Sequence, residues 1–289
     1  VAAPILTVAV ALQVQSLSKS FGAEGARHKV LDGCSFELDA GRLTVLIGPS
    51  GCGKTTLINT IAGYESPEEG VVTVQGRPVT GPGSDRLVVF QETALFPWMT
   101  TLANVAYGPI VQRQRARYEI NADALGLLDK VGLREFRDKY PNQLSGGMQR
   151  RAELARALIN KPVVMLLDEP FRGLDAMTRE LMQEYFLRLY EDRQQTVLFV
   201  TSEIDEAIFL ADKLLIMSNR PGRITKTMPI DLPRPRSLAD LTSTLYLQYK
   251  EEAMEVLYAE ALKAFAAGSK AAIDFVEAYA ARGKEDGTS

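Results

Sequence analysis

The sequence predicts an α/β fold, a parallel sheet with helices on its faces. Three observations carry that expectation. Short apolar runs, "LTVLI", "VVMLL" and "TVLFV", have the length and composition of buried strands. Stretches with helical spacing of apolar residues stand between them, as in "KTTLINTIAGY" and "AMTRELMQEYFLRLYEDR". Strand and helix then alternate along the chain, which is the pattern of a parallel sheet rather than of hairpins.

In chain order, Leu12 to Glu37 reads as paired strands interrupted at "FGAEGARHK". The apolar opening "VAAPILTVAVAL" lacks a basic flank and is shorter than the roughly 20 apolar residues of a membrane span. It reads as the approach to the first strand, with a processed or membrane-lying segment as the alternative. "LTVLIGPSG" is a buried strand entering a glycine-rich turn, and the helix after it carries Leu57, Ile58 and Ile61 on one side. "GVVTVQGRPV" reads as two strands about a glycine turn, and "RLVVFQ" as a further buried strand. The region from Thr100 to Ile159 is helical in pattern. The strand "VVMLLDEP", the helix from Ala176, the strand "TVLFVTS" and the hairpin "DKLLIMSNRPGRI" follow. Beyond "DLPRPRS", Leu238 to Arg282 reads as two helices parted near Gly268, with a frayed end at "RGKEDGTS".

The bulk composition is that of a globular protein, 46% hydrophobic and 24% charged, with a net charge of -3. Nucleic-acid binding is not expected, because it usually shows as a basic surplus. Two cysteines, Cys34 and Cys52, are too few for a disulfide framework and suit a reducing compartment.

"GPSGCGKT", Gly48 to Thr55, fits G-x4-G-K-[ST] and lies between a strand and a helix. Such a turn points backbone N–H groups at phosphate oxygens, and the helix start adds positive potential. Gly48, Pro49, Ser50, Gly51, Cys52, Gly53, Lys54, Thr55 and Thr56 are therefore expected to hold a nucleotide. Lys54 reaches its outer phosphates and Thr55 ligates Mg2+. "VVMLLDEP" delivers Asp168, suited to Mg2+, and Glu169, suited to deprotonate an attacking water. "LSGGMQRRAELARAL" places Ser145, Gly146 and Gly147 at a second anion-seeking helix start. Two such starts in one chain mean either two anions or one ligand shared between two chains.

With these motifs in view, the sequence resembles the nucleotide-binding subunit of ABC transporters, over nearly all of Leu12 to Ile224. "LSGGMQ" matches that family's signature. The resemblance implies a P-loop NTPase (RecA-like) core with an antiparallel β subdomain over 1–92 and 160–225. It also implies an inserted helical subdomain over 93–159 and a helical C-terminal extension over 226–289. Phe21 resembles the aromatic that stacks on adenine, with a strand-end core position as the alternative. Gln91 resembles the glutamine that senses Mg2+ and the attacking water, and Asp175 the aspartate of the D-loop. "ALFPWMTTLANVAYG" resembles the region that docks on a membrane subunit, although Phe96, Pro97 and Trp98 also suit an ordinary core.

In that family the strand after the D-loop helix ends in a histidine that contacts the γ-phosphate. Here Ser202 occupies the place, and the only histidine, His28, lies far upstream in a hairpin. A serine hydroxyl is shorter and carries no positive charge. Loss of one donor aimed at developing phosphoryl charge costs about 10²–10³ in rate. With Glu169 retained, slow hydrolysis at the local site is the expectation.

"GPGSDRLVVFQETALFPWMTTLANVAYG" and "DEAIFLADKLLIMSNRPGRI" resemble the ATPases of nitrate, sulfonate and taurine importers. The resemblance implies an ATP- and Mg2+-dependent ATPase, peripheral at the cytoplasmic face of the bacterial inner membrane. Its partners would be transmembrane permease subunits, a second nucleotide-binding subunit as homodimer or heterodimer, and, indirectly, a periplasmic solute-binding protein. ATP-driven closure and opening of the dimer would power import. The alternatives are a weakly hydrolysing, nucleotide-gated subunit of a heteromer, or a soluble ABC ATPase acting on nucleic acid or ribosomes. The tail is longer than the family's usual short closing helix. Its apolar positions Leu245, Tyr249, Met254 and Leu257 fit a helix packed on its own domain, or one that meets a partner.

Overall fold

The computed structural model describes residues 9–23, 26–113 and 115–266. Ten strands and seven α-helices are found there. β1 (Val10–Phe21) and β2 (His28–Asp39) form a long antiparallel pair. β4 (Glu69–Val74) adds to the free side of β1, and β5 (Arg77–Pro78) closes a four-stranded sheet of order β2-β1-β4-β5. The second sheet is built from β3 (Leu43–Ile47), β6 (Arg86–Val89), β7 (Val164–Asp168), β8 (Thr196–Thr201), β9 (Lys213–Met217) and β10 (Ile224–Pro229), in the order β10-β9-β3-β8-β7-β6. Five of these strands run parallel and only β10 is antiparallel.

The parallel sheet explains its own sequences. Every residue of β3, β7 and β8 is buried, because both faces are covered. Successive side chains point to opposite faces. Val45, Ile47, Met165, Leu167, Val197 and Phe199 face one core, while Leu46, Leu166, Leu198 and Val200 face the other with β1, β2 and α1 (Lys54–Ala62). On the first side Phe171, Phe186 and Phe199 pack ring against ring at 5.6 to 6.2 Å. The helices α2 (Thr101–Val111), α3 (Arg117–Lys130) and α4 (Gly146–Ile159) form a layer against that side. α5 (Ala176–Arg193) and α6 (Ile204–Leu210) alternate with the last strands.

Two expectations are corrected here. "RLVVFQ" is not a fully buried strand: β6 is the sheet edge, paired only with β7, and Arg86, Leu87 and Val88 remain half-buried. The tail helix α7 (Thr244–Ala266) does pack on its own chain, but through Tyr246, Tyr249, Ala253 and Leu257. Leu245 and Met254 stay exposed. Polar contacts at both ends set that rotation. The Tyr246 hydroxyl and the Lys250 ammonium meet Asp205 in the first turn of α6, and Glu260 accepts the Asn219 amide at 2.9 Å. Helical spacing alone cannot supply such anchors. The break near Gly268, the second tail helix, the frayed end and most of the apolar opening lie outside the described residues. Among the described residues, no helix is long and apolar enough to cross a membrane.

Candidate functional site

β3, β8, β7 and β6 are neighbours and parallel, so their C-terminal ends share one edge of the sheet. Register makes them level: Ile47 stands beside Thr201, Asp168 beside Val200, and Val89 beside Leu167. The glycine-rich turn, Ser202, Glu169 and Gln91 therefore emerge side by side, where open α/β sheets bind ligands.

The turn after β3 needs glycine at Gly53, the N-cap of α1. Its φ of 109° is left-handed, and a Cβ there would lie 2.9 Å from Leu31 and 3.0 Å from Val30. The Lys54 ammonium is buried and donates to the carbonyls of Gly48 and Pro49 at 2.9 and 3.1 Å. It also lies 3.7 Å from Glu169. Ser50, Gly51, Gly53, Lys54, Thr55, Thr56, Gln91 and Glu169 line one cleft of about 250 Å³. Cys52 does not line it: the residue is fully buried, and burial pushes its thiol up.

Asp168 ends β7, and Glu169 follows with φ 44°, a strained value for a side chain that is not glycine. The Glu169 amide donates to the Val200 carbonyl at 2.9 Å, which ties the turn to β8. Burial pushes the Asp168 carboxyl up, and the Thr55 hydroxyl bound to it pulls the other way. Among the described residues no group of three or more His, Cys, Asp or Glu is placed to hold a metal. The donor set is one carboxylate and one hydroxyl, which fits Mg2+ arriving on phosphates, since Mg2+ takes one or two carboxylates with phosphate and water oxygens.

Ser202 is exposed at the end of β8 and lines a smaller cavity of about 130 Å³ with Glu169, Phe171, Arg172 and Arg179. Phe21 is 42% exposed, so it is not a core residue, and the Lys19 ammonium sits 5.2 Å from its ring centroid. His28 is an exposed residue paired with Phe21 across the hairpin.

Ser145, Gly146 and Gly147 are not brought to the phosphate turn. They line a different cleft, of about 670 Å³, with Gly173, Leu174 and Asp175. Ser145 caps α4 through the Met148 amide at 3.4 Å, and Asp175 caps α5 through the Thr178 amide at 3.0 Å. The phosphate turn and Ser145 to Gly147 thus line separate clefts of the chain.

The basic helix α4 holds residues that the sequence reading passed over. Arg150 and Glu153 are buried and paired at 2.6 Å. Arg150 donates to the carbonyls of Phe90 and Gln91 at 2.8 and 2.5 Å, and Glu153 accepts the Ala94 amide at 2.5 Å. The segment around Gln91 is thus pinned to the helix that begins at Ser145. The signal was there, as two charges three apart on the apolar side of a helix. Glu153→Ala is expected to lower stability by about 3–5 kcal/mol, since it strands a buried guanidinium. Denaturant titration at constant m-value checks this, and an unchanged midpoint contradicts it. Phe96 is half-buried against Tyr107 at 4.7 Å, while Trp98 lies tilted against it at 5.6 Å and is 70% exposed.

Known proteins give a consistent picture. The family described as ABC transporter matches residues 31–172. The taurine import ATP-binding protein TauB of Ruegeria pomeroyi is 42% identical over 253 residues, 86% of this chain and 94% of that protein. The bicarbonate transport ATP-binding protein CmpD of Synechocystis sp. is 42% identical over 250 residues, 86% of this chain and 89% of that protein. Among solved structures, the dimeric post-hydrolysis state of an ATP-binding cassette bound to ADP and Pi is similar. Its TM-score is 0.66 at 26% identity, covering 77% of this chain and all of that one.

Proposed function

The chain belongs to the ABC transporter family, and on that premise we propose that it is the ATP-hydrolysing subunit of an importer for a small anionic solute. The observation that supports this best is the shared sheet edge, where Lys54, Thr55, Asp168, Glu169 and Gln91 meet, with Ser145 to Gly147 held in a separate cleft. Both named relatives serve transport, of taurine and of bicarbonate, so the weakly hydrolysing alternative suggested by Ser202 is not favoured.

The turn from Gly48 to Thr56 cradles the phosphates, with Lys54 on the outer two and Phe21 under the adenine. Thr55 and Asp168, with Gln91, would hold Mg2+, which when bound neutralises charge on the phosphate oxygens. Glu169 takes the proton of the attacking water, and Gln91 helps to orient that water. Two chains close head to tail, so that Ser145, Gly146, Gly147 and Asp175 of each meet the nucleotide on the other. Closure is driven by contacts that ATP makes and ADP does not. The exposed Trp98, with Pro97 and the half-buried Phe96, is the surface offered to a transmembrane permease subunit. The chain then sits peripherally at the cytoplasmic face of the bacterial inner membrane, and the periplasmic solute-binding protein acts on it only through the permease. Nucleic acid has no part in this reading.

ATP hydrolysis by the full chain reconstituted with its permease tests the reading. Turnover that rises when solute and binding protein are added supports it, and turnover indifferent to them counts against import.

A further inference from the structure

The cavity beside Ser202 and the cleft of the phosphate turn meet at the turn that follows β7. Two residues line both spaces, Glu169 and Arg172. Arg172 is therefore the one cation among the described residues that faces both. Arg220 lines only the phosphate cleft. Arg179 lines the Ser202 cavity but not the phosphate cleft, and it is committed to the Leu174 carbonyl at 3.2 Å and to Glu203 at 3.8 Å.

The backbone holds Arg172 in place. Its amide donates to the Glu169 carbonyl at 3.1 Å, closing a turn whose Phe171 is buried against Phe186 and Phe199. Its side chain is 58% exposed, so the guanidinium is free to re-aim about that anchor. In this state it donates to Glu169 at 2.8 Å, while Lys54 stands 3.7 Å from the other carboxylate oxygen. One anion thus lies between the phosphate-binding lysine and a second cation. A terminal phosphate entering beside Lys54 is a stronger claim on the same donors, because a guanidinium matches phosphate oxygens in a two-pronged contact.

We propose that Arg172 is a catalytic residue, supplying to the terminal phosphate of ATP the positive contact that the neutral Ser202 cannot give. The proposal rests on the ATP-hydrolysing reading above. In the step concerned, the water oxygen bonds to the γ-phosphorus as the bond from that phosphorus to the bridging oxygen breaks. The electron pair leaves with ADP and the water proton passes to Glu169. Charge gathers on the phosphoryl oxygens, and Arg172 donates to them from the side of β8. The turn Glu169 to Arg172 then presents base and cation from one rigid loop.

The test compares wild type, Arg172→Ala, Arg172→Lys and the double variant Arg172→Ala/Ser202→His, as purified full-length chains with Mg-ATP. Arg172→Ala is expected to lower kcat by about 10²-fold with KM held within about threefold. Arg172→Lys keeps the charge but loses the fork, and falls by about tenfold. The double variant recovers about tenfold or more over Arg172→Ala, since an imidazole on β8 supplies the missing donor. A residue that merely braced the turn would not be rescued from Ser202. Wild-type kcat in Arg172→Ala, or a double variant no faster than Arg172→Ala, overturns the proposal. Lys54→Ala separates the two failures: if wild type hydrolyses no more ATP than Lys54→Ala, the hydrolytic reading itself falls, and the proposal with it.

Discussion

Glu169→Gln is expected to bind ATP, hold two chains closed around it, and hydrolyse it about 10²–10⁴-fold more slowly, the contribution of a positioned general base. The carboxylate is buried, strained in backbone, and placed between Lys54 and Arg172. Glutamine keeps the volume and one acceptor oxygen but takes no proton. Phosphate contacts are then made while the step that ends them is stopped, and the ATP-bound closed state accumulates. Size-exclusion chromatography with ATP, alongside phosphate release, reads both effects. Rapid turnover by the variant would remove Glu169 from its role. A monomer with ATP would instead remove the head-to-tail dimer.

Lys54→Ala is expected to abolish measurable hydrolysis and to weaken ATP binding by about 10–10²-fold, from the loss of charged hydrogen bonds worth about 1.5–3 kcal/mol. The ammonium is presented by two backbone carbonyls, Gly48 and Pro49, at the first residue of α1. Among the described residues the other cations that line the cleft are Arg172 and Arg220, both exposed side chains. Titration with a fluorescent ATP analogue measures affinity, and thermal unfolding without nucleotide confirms the fold. Binding equal to wild type would mean that the backbone amides alone carry the phosphates.

Much of this was legible in the residues. The strand before Gly48 and the helix after Lys54 are marked by apolar runs, and the same holds for the strand that delivers Asp168. These are local facts, and a buried parallel strand announces itself by lacking polar residues on either face. The edge position of β6 was not legible, because Leu87, Val88 and Val89 look the same whether a neighbour covers them or not. Nor was the rotation of α7. Tyr246 and Leu245 are both apolar, and only the contacts to Asp205 and Asn219 select which one turns inward.

The candidate site divides the same way. Lys54, Thr55, Asp168 and Glu169 were named from motif and spacing, because each chemistry demands a residue type at a helix start or a strand end. Arg150, Glu153 and Arg172 were not. Their roles depend on which distant backbone or carboxylate they meet, and a charge in a helix or turn is by default a solvated one.

The amino-acid order alone determined that a phosphate-cradling turn, an acidic strand end and a second glycine-rich helix start exist in one chain. It also determined that the place after β8 is held by an uncharged serine. The folded arrangement decided that the first two share a sheet edge while the third opens on another cleft, and that an arginine from the acidic turn lines one cavity with the serine. The division has a physical cause. Periodicity and turn chemistry act over a few residues and are written locally, whereas distance between remote side chains is fixed only when strand order and register are.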